Sequence, residues 1–471
     1  MGKKGRSDDT KGLLRVVECI VEVLVLSVVY YLIWRNCYSE GTFPTYYFNG
    51  KYVLAGVYAL LIYFVFINSD SFLFGQVKSV NIAFGQIIGL FAVNIITYFQ
   101  LCLIANGMIS PIPIIILMLV DCVIVALLIK VYSMLYHMIY PPYNMVLVYG
   151  NNNAVRIKIK MDNRKDKYRI NRLISVEEGF ENVCKEIVKY DAVILNDLPS
   201  EIRNKLLKFC FEKNIRTYAV PKISDIILSG GKKVNLFDTP LVLIKSRRNG
   251  IPLKQRIIKR FMDIILSGIL LILTLPFMLI IAVAIKLEDR GPVFYKQKRL
   301  TVNEREFEIL KFRSMIRDAE KFSGEVLAGD NDPRITKVGR VIRATRLDEL
   351  PQLINILKGD MSVVGPRPER KIFVDEYCKE MPEFIYRTKV KGGLTGYAQV
   401  YGKYNTSPYD KLRLDLMYIE NYSLLLDLKL MFLTIRIIFS KESTEGIDVA
   451  MENEKLKNKL IEEIEQDKFK N

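Results

Sequence analysis

The densest group of chemically useful side chains lies between residues 311 and 369. Two adjacent carboxylates, Asp348 and Glu349, directly precede an apolar pattern, Leu350–Leu357, whose spacing predicts a helix with Pro351 in its first turn. Free backbone amides and the positive end of the helix dipole favour negative charge at such a position. A simple helix cap is one interpretation of this pair.

Basic residues occur on both sides of the carboxylate pair in the sequence, and they widen the range of interpretations. These residues are Lys311, Arg313, Arg343, Arg346 and Arg367. Arg367 lies between two prolines, so its backbone is stiff and its guanidinium can be aimed. Cations that converge on a carboxylate pair suit a phosphorylated substrate and a divalent metal. One carboxylate can attack phosphorus while the metal and arginine neutralise the phosphoryl oxygens.

Composition excludes several classes of protein. Half of the 471 residues are hydrophobic, which argues against a disordered chain. With one histidine, His137, the Ser-His-Asp hydrolases, histidine kinases and HExxH metalloproteases are disfavoured. The seven cysteines form no CxxC pair and fit reduced thiols facing a cytoplasm.

The net charge of +17 would suit nucleic acid or anionic lipid, but much of it flanks apolar segments and no nucleic-acid module is recognisable. We therefore expect membrane lipids as partners and no nucleic acid.

Four apolar stretches near the N-terminus are long enough, or nearly so, to cross about 30 Å of hydrocarbon. They are Leu13–Trp34, Tyr52–Ile67, Ile82–Ile104 and Ile112–Ile129. Basic residues precede the first stretch and follow the fourth, whereas the Asn106–Pro111 loop has neither Lys nor Arg. The positive-inside rule then predicts that both ends of this four-helix region face the cytoplasm.

A soluble α/β pattern follows the four apolar stretches. Apolar runs at Met145–Tyr149, Ala192–Leu195 and Thr217–Val220 indicate strands, and Glu201–Lys213 indicates an amphipathic helix between two of them. Strands that alternate with helices predict a small parallel sheet. Of a G-x-G-x-x-G dinucleotide loop only Gly150 is present, so we interpret this segment as a degenerate Rossmann-like domain with a structural or regulatory role.

The apolar run Phe261–Ile285 is long enough to span a bilayer, but two features argue that it does not. Lys and Arg flank both of its ends, and Pro276 lies in the middle, where it removes a backbone hydrogen bond and bends or breaks a helix. A helix that enters the membrane, turns at Leu275–Pro276 and leaves by the same face satisfies both observations. A kinked fifth span is the alternative.

A series of spaced motifs covers about Leu253–Ser440. They are Lys259-Arg260…Asp263, Gly291-Pro292-Val293-Phe294…Gln297, Lys311–Met315, Asp332–Thr336, Leu347–Gln352, Lys358–Pro368, Leu394–Val400 and Tyr422-Ser423…Asp427. Together they resemble the bacterial sugar transferases, the monotopic polyprenyl-phosphate hexose-1-phosphate transferases. The four apolar stretches and the degenerate nucleotide-fold domain resemble the long, membrane-anchored members of that family.

The resemblance implies roles for individual residues. Asp348 falls on the family nucleophile, which forms a phosphosugar–enzyme intermediate and expels UMP, and Glu349 falls on the partner carboxylate that helps to hold magnesium (Mg2+). Lys311, Arg343 and Arg367 fall on positions associated with phosphate binding. Arg313 shares the motif of Lys311 and is expected to bind substrate with it. Pro276 falls on the break of the re-entrant membrane helix.

The resemblance also implies an activity and an architecture. The activity is transfer of a hexose-1-phosphate from a UDP-sugar to undecaprenyl phosphate at the cytoplasmic membrane, the first membrane step of exopolysaccharide, capsule or O-antigen synthesis. A non-catalytic regulatory or scaffolding membrane protein that binds nucleotide or polyanion is the alternative. The expected order is an α-helical transmembrane bundle (1–140), an α/β Rossmann-like domain (141–250), an interfacial and re-entrant helix (251–290), a small α+β catalytic domain (291–445) facing the cytoplasm, and a charged tail (446–471). A homodimer is a further candidate assembly, and the motifs do not identify the sugar.

Overall fold

A computed structural model describes residues 8–38, 50–150, 154–244, 250–317, 332–402 and 406–438. The chain divides into two compact units, one ending at Val220 and the other beginning at Pro221. The predicted tail, residues 446–471, lies outside the described residues, as do positions 151–153 of the loop after Gly150.

The first unit begins with four long helices. They are α1 (Asp8–Cys37), α2 (Gly50–Asn68), α3 (Ser79–Ile104) and α4 (Ile112–Ile139). All four are long and apolar enough to cross a membrane, and with the later helix Leu253–Asp289 they are the five such helices in the described part of the chain. The four apolar stretches predicted near the N-terminus are confirmed as helices.

Polar side chains lie inside this group of helices. Glu18 and Glu22 are buried on α1, one helical turn apart. The Tyr58 hydroxyl lies 3.0 Å from Asp121 Oδ2 and 3.1 Å from Asn94 Oδ1, which ties α2, α3 and α4 together. Polar groups in an apolar helix are generally directed inward in this way, because hydrocarbon offers no hydrogen-bond partners.

A parallel sheet follows the four helices. Its strands are β1 (Tyr143–Tyr149), β2 (Tyr168–Ser175), β3 (Ala192–Asn196) and β4 (Arg216–Ala219), in the order β2-β1-β3-β4. Helices α5 (Ala154–Asp162), α6 (Phe180–Ile187) and α7 (Ser200–Glu212) connect successive strands. The predicted parallel α/β arrangement is confirmed. Its strand order is that of flavodoxin-type sheets and differs from the 3-2-1-4 order of dinucleotide-binding domains, so the Rossmann-like part of the prediction is not confirmed.

Gly150, at the end of β1, has a local structural reason. A Cβ atom at this position would lie 2.5 Å from the carbonyl oxygen of Asp197, which follows β3. Only glycine allows the two loops to approach so closely. Packing therefore explains this residue without a bound nucleotide.

The second unit is rich in helices. Its first elements are α8 (Ile223–Ser229), the hairpin β5 (Lys232–Leu236) and β6 (Thr239–Leu243), the long helix α9 (Leu253–Asp289), and the hairpin β7 (Phe294–Leu300) and β8 (Glu306–Phe312). They are followed by α10 (Lys337–Ala344), α11 (Gln352–Lys358), β9 (Ser362–Val364), α12 (Lys371–Glu380), β10 (Gly393–Thr395), α13 (Tyr397–Tyr401), α14 (Pro408–Glu420) and α15 (Leu424–Ile438). The described residues of this unit also form 3-10 segments at Val302–Glu304, Leu347–Glu349 and Pro382–Lys389.

Helix α9 packs one face on the rest of this unit and exposes apolar side chains on the others. Its buried residues recur at helical spacing: Lys259, Asp263, Ser267, Met278, Ile281 and Ile285. Side chains between them, such as Ile272, Leu273 and Ile280, are 74, 63 and 66% exposed. An apolar surface of this size on a basic protein is typical of a membrane-binding helix.

The helix is continuous from Leu253 to Asp289 and includes Pro276, so its turns are not interrupted at this residue, and a bend at Pro276 stays a prediction. Proline removes the hydrogen bond that its own nitrogen would have donated to the preceding turn and crowds the carbonyl group four residues earlier, but the residues on both sides keep their helical conformation.

The N-terminal part of α9 is fixed to the second unit by polar contacts. Lys259 Nζ lies 2.6 Å from Asp427 of α15, and both side chains are buried. The Arg260 guanidinium donates to the carbonyl oxygens of Ile356 and Leu357 at the end of α11. Asp263 accepts from the Val363 backbone nitrogen at 3.0 Å and from the Ser362 hydroxyl at 2.8 Å, both at the start of β9.

The C-terminal part of α9 is fixed to the same unit. Glu288 accepts from the backbone nitrogen of Lys337 at 2.8 Å, at the start of α10. Asp289 forms an ion pair with Arg313, which follows β8. Ile285 joins a buried cluster with Phe312 and Ile342. Both ends of the helix are therefore held by one compact unit.

Candidate active site

The carboxylate pair lies in the 3-10 segment Leu347–Glu349, just before α11. Arg346 precedes it in the left-handed region, at φ 55°, and Pro351 is the N-cap of α11. The predicted placement of the pair just before a helix is confirmed, although the pair itself lies in a 3-10 turn and Leu350 and Pro351 separate it from the α-helix.

The two residues that flank the pair are apolar and hold the turn against α9. Leu347 and Leu350 pack on the buried cluster that contains Met278, Ile281 and Ile285 of α9. The turn that carries the two carboxylates therefore packs on the long apolar helix α9.

Glu349 is the centre of an ion-pair network. It is buried, and its Oε1 accepts from Lys311 Nζ at 2.9 Å and from Arg367 Nη2 at 2.6 Å. Burial acts to raise the pKa of Glu349, but the charges of Arg367 and Lys311 outweigh it and hold the pKa well below its usual range. The same contact, led by the charge of Glu349, raises the pKa of Arg367. Glu349 is therefore ionised, and two cations share one of its oxygens.

Lys311 reaches this network from β8. Asn355 of α11 fixes the strand by accepting from the Leu310 nitrogen at 2.9 Å and donating to the Glu308 carbonyl at 2.8 Å. Burial lowers the pKa of Lys311, and Glu349 partly restores it. The amide of Asn355 thus sets the distance between the β8 lysine and the turn that carries the carboxylates.

Arg367 is placed by a second layer of charges behind it. The buried Arg387 donates from Nη2 to the Arg367 carbonyl at 3.0 Å and pairs with Asp415 at 2.8 Å. Glu369 lies 3.5 Å from Arg387 and 3.6 Å from Arg299. Sequence reasoning missed these four residues. A signal was present in α14, where Asp415 shares an apolar face with Leu412, Leu416 and Ile419, because a lone charge on such a face indicates a buried partner.

Asp348 lies beside the network. Its carboxyl group is within the electrostatic range of Lys311, Arg343 and Arg367. Burial raises its pKa, opposed chiefly by the Lys311 charge and assisted by the neighbouring Glu349. The structure therefore brings Lys311 and Arg367 into contact with Glu349, next to Asp348, and the charge of Arg343 acts on Asp348.

Arg313 is engaged elsewhere. It is 7% exposed, pairs with Asp289 at the end of α9, and donates its backbone N–H to the Val293 carbonyl at 2.9 Å. These contacts join β8 to the end of α9. Binding of substrate by Arg313 stays a prediction.

The donor set bears on the predicted magnesium ion. No group of three or more His, Cys, Asp or Glu side chains suited to a metal occurs in the described part of the chain. Asp348 and Glu349 supply carboxylate oxygens, the ligands that Mg2+ prefers, and Mg2+ commonly takes one or two carboxylates and completes its shell with phosphate and water. The residues therefore fit an ion held jointly with a substrate diphosphate, and they do not fit one held by protein alone.

Comparison with known proteins agrees with this site. The sequence profile of a family described as "Bacterial sugar transferase" matches residues 254–441. The chain is 42% identical over 261 residues to a UDP-N-acetylgalactosamine-undecaprenyl-phosphate N-acetylgalactosaminephosphotransferase of Aeromonas hydrophila, covering 54% of this chain and 60% of that protein. It is 37% identical over 250 residues to a UDP-glucose:undecaprenyl-phosphate glucose-1-phosphate transferase of Klebsiella pneumoniae, covering 52% of this chain and 51% of that protein.

A shorter relative is covered more fully. A UDP-glucose:undecaprenyl-phosphate glucose-1-phosphate transferase of Caulobacter vibrioides is 39% identical over 190 residues, covering 39% of this chain and 71% of that protein. The matches to the two longer relatives span a little over half of their length. The matched residues include α9, the carboxylate turn and the cations around it, and the chain belongs to the bacterial sugar transferase family.

Proposed function

We propose that the protein transfers a hexose-1-phosphate from a UDP-sugar to undecaprenyl phosphate. The observation that carries this proposal is the pair of cations, Lys311 and Arg367, held by Glu349 beside a second, less compensated carboxylate, Asp348. Cations so arranged suit the phosphates of a nucleotide sugar, and the printed names of the relatives describe undecaprenyl-phosphate sugar-1-phosphate transfer.

The reaction takes place in two displacements at one phosphorus atom. A carboxylate oxygen of Asp348 attacks the phosphorus that carries the sugar, and the bond from that phosphorus to the bridging oxygen breaks. UMP leaves with the electron pair of that bond, and the sugar phosphate remains on Asp348. An oxygen of undecaprenyl phosphate then attacks the same phosphorus, which forms the lipid diphosphate sugar and regenerates the carboxylate.

Each charged residue has a part in this scheme. Lys311, Arg343 and Arg367 neutralise charge on the phosphates as the bridging oxygen departs. Glu349 keeps Lys311 and Arg367 at a fixed separation and, together with the diphosphate, would hold Mg2+. A bound magnesium ion would add charge neutralisation at the phosphate oxygens.

The anchoring of α9 supports a re-entrant or membrane-surface path for this helix. Its two ends contact one compact unit through Asp263 and Asp289, and the buried stripe between them faces that unit. A helix that crossed the bilayer would leave its ends on opposite sides, where one soluble unit could not hold both. We propose that the unit and its site lie on the cytoplasmic face, where nucleotide sugars are found.

The chemistry is tested with Asp348→Asn in the purified full chain. Asparagine keeps the shape of the side chain but is not a nucleophile, so release of UMP from a UDP-sugar should fall at least a thousandfold while the thermal unfolding temperature stays within a few degrees of the wild type. A panel of UDP-sugars with Mg2+ and undecaprenyl phosphate identifies the sugar. Near-normal turnover by Asp348→Asn would contradict the covalent route, and UMP release by no donor of the panel would favour a scaffolding role.

The membrane path is tested with single cysteines in a cysteine-free protein. Lys254→Cys lies in the first turn of α9, and Lys296→Cys lies on β7 just after the helix; both lysines are exposed. Both cysteines should react with an impermeant maleimide only after the cells are permeabilised. Labelling of Lys296→Cys from outside intact cells, with Lys254→Cys protected, would show that α9 spans.

A further inference from the structure

A cavity of about 480 Å3 lies in the first unit, outside the candidate active site. Its walls come from the first turns of α1, the last turn of α4, the turn before α3 and two strands of the parallel sheet. Cavities of this volume are typical of small-molecule sites.

The cavity carries an excess of positive charge. Four basic side chains line it, namely Lys11, Arg15, Lys167 and Arg216, with Asp166 as one acidic residue. Arg164, which is not part of the lining, pairs with that carboxylate at 2.9 Å. Burial, together with the charges of Arg164 and Arg15, lowers the pKa of Lys167. Cations gathered at this density repel one another unless an anion joins them.

Aromatic rings are arranged among these cations. The Tyr143 ring lies 4.3 Å from Lys11 Nζ and 4.7 Å from the Arg216 guanidinium, so two cations share one ring. Lys11 is also 5.2 Å from the ring of Tyr140. Such cation–π contacts fix the direction of the charged groups.

The position of the cavity indicates the chemical class of the ligand. It lies where two helices that are long and apolar enough to cross a membrane begin and end, at the junction with the soluble sheet. Tyrosines at such a junction are typical of the level of lipid headgroups. The anion found at this level is a phosphate ester, and arginine with lysine is the usual set that binds it.

We propose that this cavity binds a phosphate ester, supplied either by the headgroup of an anionic membrane lipid or by a soluble phosphate compound. Lys11, Arg15, Lys167 and Arg216 contact the phosphate oxygens, and Tyr143 and Tyr140 flank the group that the phosphate carries. The site is separate from the carboxylates of the second unit and does not depend on the transferase reaction.

The test uses the full chain purified in detergent. In one arm, native mass spectrometry measures retention of dioleoylphosphatidic acid, with dioleoylphosphatidylcholine as the neutral reference. In the other arm, calorimetry measures binding of glycerol 1-phosphate. The perturbed protein is Lys11→Gln/Arg216→Gln, and the matched control is Arg169→Gln/Lys208→Gln, which removes two exposed cations from the same α/β region outside the cavity.

The cavity variant should lose at least fivefold in retention of phosphatidic acid or in affinity for glycerol 1-phosphate, and the control variant less than twofold. Loss in the lipid arm alone identifies a headgroup, and loss in the soluble arm identifies a free phosphate ester. Equal behaviour of the two variants in both arms overturns the proposal. If the double variant fails to fold, Lys167→Gln and Arg216→Lys are measured in the same way, with the corresponding single substitutions as controls.

Discussion

Replacing Glu349 with glutamine should strengthen metal-free nucleotide binding while turnover falls. In the wild type, Glu349 Oε1 accepts from both cations that are proposed to bind the substrate phosphate, so in this proposal the phosphate competes with an internal anion. Glutamine keeps the size of the side chain but removes the charge. The empty Glu349→Gln protein therefore holds Lys311 and Arg367 uncompensated, and a bound phosphate relieves their repulsion.

The contact distances set the size of the effect. Because both nitrogens bond one oxygen, at 2.9 and 2.6 Å, they lie no more than about 5.5 Å apart, where two like charges repel by about 3 kcal/mol at an effective dielectric constant of about 20. The Arg367 side chain is 38% exposed, so solvent screening reduces this to about 1–2 kcal/mol. Metal-free affinity for UMP should then rise by roughly five- to thirtyfold. The empty variant should be destabilised by a similar amount.

Calorimetric titration of the full chain with UMP, in EDTA and in magnesium, measures both consequences. The matched control is Glu308→Gln, which removes one charge from an exposed pair with Lys296 on the β7–β8 hairpin. The control should bind UMP like the wild type under both conditions. Magnesium should tighten binding by the wild type and do little for Glu349→Gln, since a proposed ligand of the ion is lost. Metal-free affinity of Glu349→Gln that equals or falls below that of the control would refute the idea that Glu349 and phosphate compete for the same cations.

Three further outcomes are expected. Burial raises the pKa of Asp348, which must be ionised to attack. The apparent pKa of the acid limb of single-turnover UMP release, measured without lipid acceptor, should therefore lie above the ordinary aspartate value of 3.8. An apparent pKa at or below 3.8 would contradict this. Arg387→Gln removes the donor to the Arg367 carbonyl and leaves Asp415 buried without its cation, so the free energy of unfolding should fall by about 3–5 kcal/mol. Arg387→Lys should fold and lose mainly kcat. Equal unfolding temperatures for the two variants would argue against the role of Arg387 in placing Arg367. Ile281→Ala should destabilise the turn that carries the carboxylates by about 2–4 kcal/mol and slow UMP release. Ile280→Ala, at a neighbouring exposed position, should do neither. Equal effects of the two substitutions would show that α9 does not support the turn.

The long apolar elements and the parallel sheet were predictable from the sequence because their patterns are local. Strand β1 is buried along Met145–Tyr149 and is continuously apolar, which is typical of a central parallel strand. Strand β2 was missed because it lies at the edge of the sheet, where exposed Arg169 and Arg172 interrupt its apolar residues. The strand order, and the close packing that requires glycine at position 150, depend on the folded sheet and could not be predicted from any single segment of the sequence.

At the site, residue types were predictable and their pairings were not. Two carboxylates and several cations could be recognised from their proximity in the chain and from the resemblance to a family. Nothing local indicates that Lys311, 38 positions before Glu349, and Arg367, 18 positions after it, meet at one oxygen. Nor could Arg313, two positions from Lys311, be assigned to Asp289. Such pairings are set by how β8, α9 and the Leu347–Glu349 turn pack together.

The packing of α9 has a consequence for how the site would meet its two proposed substrates. The same helix that exposes Ile272 and Ile280 buries Ile281 and Ile285 beneath the Leu347–Leu350 region, so the apolar surface and the carboxylates belong to one rigid arrangement. Asp289, at the end of α9, pairs with Arg313, two residues from the lysine that contacts Glu349. The depth of α9 in a membrane therefore determines how far Asp348 lies above the membrane. Under the proposed function, the lipid-borne phosphate is confined to the membrane interface while the nucleotide sugar is not. A site built on a membrane-bound α9 would receive the first substrate without losing access to the second.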